Sequence, residues 1–403
     1  TKLVPEELVP VKIIGKLTLN RNPDNFFAET EQVAFHPGHV VPGIDFTNDP
    51  LLQGRLFSYT DTQLLRLGGP NFHEIPINRS VAPVHNNQRD GHMRQTINKG
   101  NTSYDPNSLG GGCPFQAMMK KFGFASFMER ISGPKVRARS KSFLDHFSQA
   151  TMFYNSQSDV EKQHIINAFR FELGKVKTPA VRQRMVNNLT QVDKNLAQQV
   201  AAGLGLKAAV PSGQINHSVP ADADPKSLEP RKGKLPVERS EALSMQRTVK
   251  NSILSRRVAF LIADGVDSAS VSAMKKTLEQ GGAMVKMVAP HLGLINSQKQ
   301  TFTADESFLT ASSVFFDAVY VPGGKKSVDA LLAQAEAIHF IREAFLHCKT
   351  IAADGEGISL LAASGIDESD PGVITGKAAD KNFVKAIAQH RFWDREAARK
   401  VPA

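Results

Sequence analysis

Cysteine is scarce in this chain of 403 residues. Cys113 and Cys348 are too few for a disulfide framework and fit a reducing compartment, so a cytoplasmic location is expected. No apolar run approaches the roughly eighteen residues that span a bilayer, and no signal-peptide pattern opens the chain, so no membrane role is expected. There is no block of like charge either. The net charge is +10, but the basic residues are spread along the chain, which reads as a generally basic surface and not as a nucleic-acid footprint. What is present is a globular composition, 41% hydrophobic and 22% charged, in a chain too long for one ordinary core. Two or more domains are therefore expected.

Residues 8–35 alternate as a strand-rich region does. Val9, Val11, Ile13, Leu17 and Leu19 fall on alternate positions, bounded by Gly15 and by Asn20-Arg21-Asn22-Pro23. From Gly68 to Pro114 the chain is rich in Asn, Gly and Pro and holds no convincing helix or strand. A structureless stretch of that length makes sense as an extended arm lying on another subunit. Residues 156–206 read as helical. Ser158 and Glu161 have capping-box spacing ahead of the apolar face Ile165, Ile166, Phe169 and Leu173. Thr178-Pro179 opens a second helix whose stripe runs Val181, Met185, Leu189, Val192, Leu196 and Val200 until Gly203 and Gly205 close it. That stripe is read as helix packing and not as a cofactor wall.

Five prolines between 211 and 236 mark a linker over about 207–252. Beyond it, Val258 to Ala263 is a short apolar run typical of a strand buried on both faces. A helix from Ser268 to Gln280 and strands at 283–288, 318–321 and 350–353 continue the alternation, which predicts a parallel, doubly wound sheet. Ligands of such sheets sit beyond the carboxyl ends of the strands, here Val321-Pro322-Gly323-Gly324 and Ala353-Asp354-Gly355-Glu356-Gly357. Gly323-Gly324 lacks the G-x-G-x-x-G spacing of dinucleotide sites. This part resembles the class I glutamine amidotransferase-like fold, in which a turn after the later strand presents a cysteine. Asp354 is expected at that place, without a thiolate for covalent chemistry, so the domain is expected to be structural or interaction-related.

The most informative run is Arg55-Leu56-Phe57-Ser58-Tyr59-Thr60-Asp61-Thr62-Gln63. It puts an arginine four residues before a tyrosine, on one helix face. A guanidinium there favours the charged phenolate. With its flanks, Phe46 to Gly54 before and Arg66-Leu67-Gly68-Gly69-Pro70-Asn71-Phe72 after, the run resembles the proximal haem signature of haem catalases, the general example of a tyrosine haem ligand. The segment Phe35-His36-Pro37-Gly38-His39 resembles the same family, and an appended α/β domain is found on its large-subunit, hydroperoxidase II-type branch.

That resemblance implies a set of roles. Tyr59 would be the iron ligand and Arg55 would keep it ionised. Leu51, Ser58, Gln63 and Arg66 would line haem or meet its propionates, and Phe35 would pack on the proximal face. His36 would tune Tyr59, with a covalent His36–Tyr59 bond as one hypothesis. The implied activity is haem-dependent disproportionation of hydrogen peroxide to water and dioxygen. The implied cofactor is haem b or an oxidised derivative such as haem d, with no NADPH, and the implied assembly is a homotetramer held through wrapping arms. The expected fold is α+β multidomain: residues 1–67 as the second part of an antiparallel catalase β-barrel, 68–115 the arm, 116–206 helical, 207–252 linker, and 253–403 a flavodoxin-like α/β domain. The family's distal motif, Arg-Val-x-His with its flanks, is absent from these 403 residues. This leaves a cleaved or excerpted piece of a longer enzyme or a truncated product lacking activity, and Thr1 in first place leads to the expectation of the former. A non-enzymatic haem-binding fragment and an interaction or chaperone-like module are the alternatives.

Overall fold

The computed structural model describes residues 2–40, 44–81, 90–100, 128–134, 140–247, 250–376 and 379–398. Cys113 and residues 82–89 and 101–115 of the expected arm lie outside them. The chain divides into two compact units, one formed by Lys12–Ala138, the other by Thr1–Val11 with Arg139–Ala403.

The unit Lys12–Ala138 is built on helix α1, Pro50–Leu67. The Asp49 carboxylate accepts from the Leu51 amide at 2.8 Å, and Pro50 fills the first helical position, where its missing N–H costs nothing. Gly68, at φ +86°, ends the helix in the left-handed conformation that a side chain would disfavour. The strands expected within 8–35 do not form: among the described residues these positions are irregular apart from a π-helical turn, Phe27–Glu31. Alternation marks two faces but supplies no partner, and a strand needs a neighbour for its backbone groups. Ile13 and Ile14 are accordingly almost fully exposed. The described part of the expected arm is more ordered than its composition suggests. It carries 3-10 turns Phe72–Glu74 and Pro76–Asn78. The buried Glu74 carboxylate accepts from the amides of Gln95 and Thr96 and pairs with Arg94, folding 94–96 back on the turn.

In the other unit, helices α2 (Ser148–Ser156), α3 (Asp159–Lys175), α4 (Pro179–Leu189) and α5 (Lys194–Gly203) share a core of Ile166, Leu173, Val186, Leu189, Leu196 and Val200. The capping box is present: Ser158 Oγ accepts from Glu161 N, and the Glu161 carboxylate accepts from Ser158 N. The single helix expected after Pro179 is two. Asp193, in extended conformation, accepts from Leu196 N at 2.8 Å and so caps a fresh helix. The apolar stripe survives the break because α4 packs on α5 and α5 on α3, so both helices bury it in one core, which is why spacing alone did not reveal the break. The Pro-rich segment is pinned to these helices. Ser240 N donates to Ser156 Oγ, and Ser244 Oγ and Gln246 N both donate to Glu161.

The α/β part has strands β1 (Arg257–Leu261), β2 (Met284–Ala289), β5 (Glu306–Ser307), β6 (Ala318–Val321), β7 (Thr350–Ala353) and β8 (Val373–Ile374) in the order β5-β2-β1-β6-β7-β8. All five pairings are parallel. A hairpin, β3 (Gly293–Asn296) with β4 (Thr301–Ala304), stands beside it. The period-two rule divides the core. Val258, Phe260 and Tyr320 face α6 (Ser268–Gln280) and α10 (Ala379–Gln389). Ala259, Leu261 and Val321 face α7 (Lys325–Leu332), α8 (Ala335–Leu346) and α9 (Ile358–Ala363).

At the amino end of this sheet, Asp317 accepts from the Arg257 amide at 2.9 Å and meets His390 at 3.2 Å and Arg256 at 3.5 Å. Burial alone would raise its pKa, but these donors and cations hold it down to about 2. A depressed carboxylate stabilises the fold above its unfolded pKa and loses that contribution as pH falls through the folded value. Asp317 should therefore contribute about 2 kcal/mol at neutral pH that disappears between roughly pH 4 and pH 2. Denaturant midpoints of parent and Asp317→Asn over that window should converge toward acid. A constant gap would contradict the assignment.

Candidate proximal haem site

Helix α1 presents Leu51, Arg55 and Tyr59 at intervals of four, hence along one stripe. Arg55 Nη2 donates to the Tyr59 hydroxyl at 3.3 Å, and its guanidinium carbon lies 5.1 Å from the ring centroid. Tyr59 is half-buried, while Leu51, Ser58 and Phe35 are exposed, Phe35 at 80%. A phenolic oxygen bonded to a guanidinium, with uncovered apolar side chains around it, suits a flat, largely apolar group that needs an anionic oxygen ligand.

Gln63 and Arg66 have a different immediate task. Gln63 is 4% exposed and donates to the Phe35 carbonyl at 3.3 Å. Arg66 donates to the carbonyls of Glu31 and Val33 and to Gln63 Oε1. Together they tie residues 31–35 to α1, which sets Phe35 and His36 beside the helix.

His36 is held at both ring nitrogens. Thr60 Oγ1 donates to the Leu56 carbonyl, so the 2.7 Å contact with His36 Nε2 must use the imidazole proton. His36 Nδ1 is then the acceptor for the Gly38 amide at 2.8 Å. Burial depresses the His36 pKa, consistent with this neutral tautomer. The His36 and Tyr59 rings meet edge-on at 6.5 Å, and His39 stacks on His36 at 4.4 Å. A covalent bond from Nδ1 to Tyr59 would first require the imidazole to turn away from Gly38. A cleft of about 660 Å3 lies alongside, lined by His36, Phe46, Leu56, Phe57, Thr60 and Leu64.

The carboxyl end of the sheet is a second candidate. Asp354 follows β7, but the residue at the sharp turn is Gly355, at φ +47°, while Asp354 itself is extended. The turn position where Asp354 was expected is therefore held by a glycine with no side chain, and Asp354 points inward. It accepts from Gly323 N at 2.6 Å, Ser270 Oγ at 2.6 Å and the Tyr320 hydroxyl at 2.5 Å. Burial and then this carboxylate push the Tyr320 phenol far above its ordinary value, so it remains a donor. The arrangement is a closed knot with every partner engaged.

Three family models match the chain: catalase over residues 1–111, a catalase-related immune-responsive domain over 140–204, and the C-terminal domain found in long catalases over 254–397. Catalase HPII of Pseudomonas aeruginosa is 48% identical over 411 residues, covering 100% of this chain and 55% of its own length. The chain belongs to the catalase family. Catalase-2 of Bacillus subtilis is 50% identical over 402 residues and Catalase-B of Dictyostelium discoideum 47% over 412, with 55% and 57% of their lengths covered. The chain spans about half the length of the curated relatives it matches. Within this catalase frame, the first matched segment contains α1 with Tyr59, and the last contains the parallel sheet. Among the described residues no helix is long and apolar enough to cross a membrane.

Sequence reasoning missed Thr60, which orients His36, although its spacing one residue after Tyr59 was in view. It also missed the Ser270–Tyr320–Asp354 knot. Those residues come from three separate segments, and no local pattern joins them.

Proposed function

We propose that this chain carries the proximal side of the haem site of a large-subunit catalase that converts hydrogen peroxide to water and dioxygen. The observation that carries this is the Tyr59 hydroxyl accepting from Arg55 on a stripe bordered by exposed apolar side chains. Haem, b or an oxidised derivative, would supply the two-electron redox chemistry once bound. Tyr59 would hold its iron. Arg55, donating to the same oxygen, would keep the phenolate form and its electron density available. Phe35 and Leu51 would cover the macrocycle and exclude water from the iron–oxygen bond. Ser58, His36, Gln63 and Arg66 would act around it, with Gln63 and Arg66 fixing the segment that brings Phe35 and His36 to the helix.

The distal acid–base residues would come from outside these 403 residues. Residues 8–35, unpaired here, would complete an antiparallel barrel in the whole protein, and 68–115 would wrap a neighbouring subunit of a homotetramer. The strand order β2-β1-β6-β7-β8 supports a flavodoxin-like assignment for the last domain. The test compares the whole protein with the 403-residue chain, both loaded with haemin, by absorption and oxygen release. The whole protein should show a haem band and rapid oxygen release. The chain alone should bind haem and release little oxygen. Full turnover by the chain alone, or no haem band in the whole protein, would overturn the reading.

A further inference from the structure

The last described element, a 3-10 turn spanning Trp393–Ala398, is fastened on two sides. Outward, it meets helix α3. His164 Nε2 lies 2.6 and 2.7 Å from the two oxygens of Glu396, and the Trp393 ring meets the imidazole edge-on at 5.4 Å. Inward, Arg395 is 4% exposed, donates to the Lys349 carbonyl and stands 4.4 Å over the Phe345 ring. Among the described residues its Nε and Nη1 have no hydrogen-bond acceptor, while the guanidinium also bonds the Cys348 side chain. Just before the turn, Phe392 N donates to the Cys348 carbonyl at 2.8 Å, which places the chain across a thiol that is 1% exposed. Cys348 itself has positive φ, +56°.

We propose that this turn is a protonation-controlled clasp between helix α3 and the α/β domain, and that its release uncovers Cys348. The inference does not depend on the haem reading. One ring nitrogen serves both carboxylate oxygens, so a proton on the other nitrogen converts a hydrogen bond into an ion pair without changing the geometry. Of the other ionisable groups on α3, Arg170 donates to the Gln199 carbonyl, Glu172 pairs with Lys175, and Asp159 in the first turn is exposed. Glu161, one turn earlier on α3, is committed to Ser158, Ser244 and Gln246, and the Lys162 ammonium lies over the Tyr154 ring. On the turn, Asp394 is exposed and Arg395 faces inward. Lys194 of α5, which packs on α3, is exposed. Glu396 is thus the charge that answers His164. Opening the clasp would also hydrate the two guanidinium nitrogens of Arg395, which offsets part of the cost of lifting it.

Trp393 is the single tryptophan of the chain, which makes the clasp observable. The emission difference between the parent and Trp393→Phe isolates its signal, and a protonated imidazole at this distance quenches an indole. On raising the pH from about 5 to 8, that signal should brighten and shift to the red in the parent and stay flat in His164→Gln, which retains a donor but cannot take the charge. The second readout is the labelling rate of Cys348 by 4,4′-dithiodipyridine, resolved from Cys113 by peptide mass. At the acid end, Glu396→Gln and His164→Gln should label about two- to fivefold faster than the parent, the range that a partly exposed ion pair supplies. At the alkaline end the rates should converge. Equal rates at acid pH would overturn the clasp. A difference that persists unchanged across the pH range, or a Trp393 titration that survives in His164→Gln, would overturn its control by His164. Glu396→Asp, which keeps the charge, should restore parental behaviour at acid pH and so separate loss of the pair from general damage.

Discussion

Tyr59→Phe in the whole protein is expected to yield a folded protein without peroxide turnover. The substitution removes one oxygen, whose hydrogen bond in the structure is the donation from Arg55. Tyr59 is half-buried and its ring neighbours are a guanidinium and an imidazole edge, so the phenyl ring that remains is tolerated. Stability should change by less than about 1 kcal/mol. Function should change far more, because no other phenol lies on the exposed stripe of α1. A loss of at least about a thousandfold in oxygen release is expected, about 4 kcal/mol in the barrier. The haem band should also lose the signature of a tyrosinate ligand. Arg55→Gln keeps the proposed ligand and removes the charge that answers it, so its loss should be intermediate, about 10- to 100-fold. An oxygen electrode and an absorption spectrum check both. A Tyr59→Phe protein with parental spectrum and turnover would remove the proposed ligand altogether.

Asp354→Ala should produce a large loss of stability in the α/β part. Its carboxylate receives the Gly323 amide, the Ser270 hydroxyl and the Tyr320 hydroxyl, joining the carboxyl ends of β6 and β7 to the start of α6. Alanine leaves those donors facing one another in a buried space. Ser270 and Tyr320 can still bond each other, as they already approach to 2.6 Å. The Gly323 amide has no such substitute. Hydrogen bonds to a charged acceptor each contribute about 1.5–3 kcal/mol, so a net loss of about 3 kcal/mol is expected. Asp354→Asn, which keeps the acceptor oxygen for Gly323, should cost about 1 kcal/mol. Amide hydrogen exchange of β6 and β7 measures this locally, without assuming that a multidomain chain unfolds in one step. Parental protection in Asp354→Ala would show that the knot is incidental. Neighbouring Gly324 tells the same story by sterics: a Cβ there would lie 2.6 Å from the Gly265 carbonyl oxygen, so the ends of β1 and β6 meet with no room for a side chain.

Some of this was legible before any coordinates. Helix α6 occupies the expected range Ser268–Gln280, since an aspartate cap, an apolar face and a following glycine pair are all local signals. The four central strands were recognisable as short apolar runs. The two-residue strands β5 and β8 and the β3–β4 hairpin were not, because two residues carry no periodicity and Gly293–Asn296 has one buried position. The alternation in 8–35 gave no strand here for the opposite reason: a clear pattern stood without a partner strand. The stripe from Val181 to Val200 misled more subtly, since apolar spacing records which face is buried and not whether the backbone is continuous.

Near the candidate site the division is similar. The Arg55–Tyr59 pair follows from the helical repeat, so sequence alone determined that these groups meet once α1 forms. The caps at Asp49 and Gly68 determined that it forms, and the match of the whole run determined the family. What Gln63 and Arg66 touch, which His36 nitrogen bears the proton, and that Asp354 turns inward behind a glycine elbow were decided only by tertiary structure. So was the meeting of His164 with Glu396 across 232 residues. Sequence spacing constrains contacts within a turn or a strand, where covalent geometry sets the distance. Contacts between elements depend on how their faces dock, and docking is set by the shape and burial of whole surfaces that no short run of residues encodes.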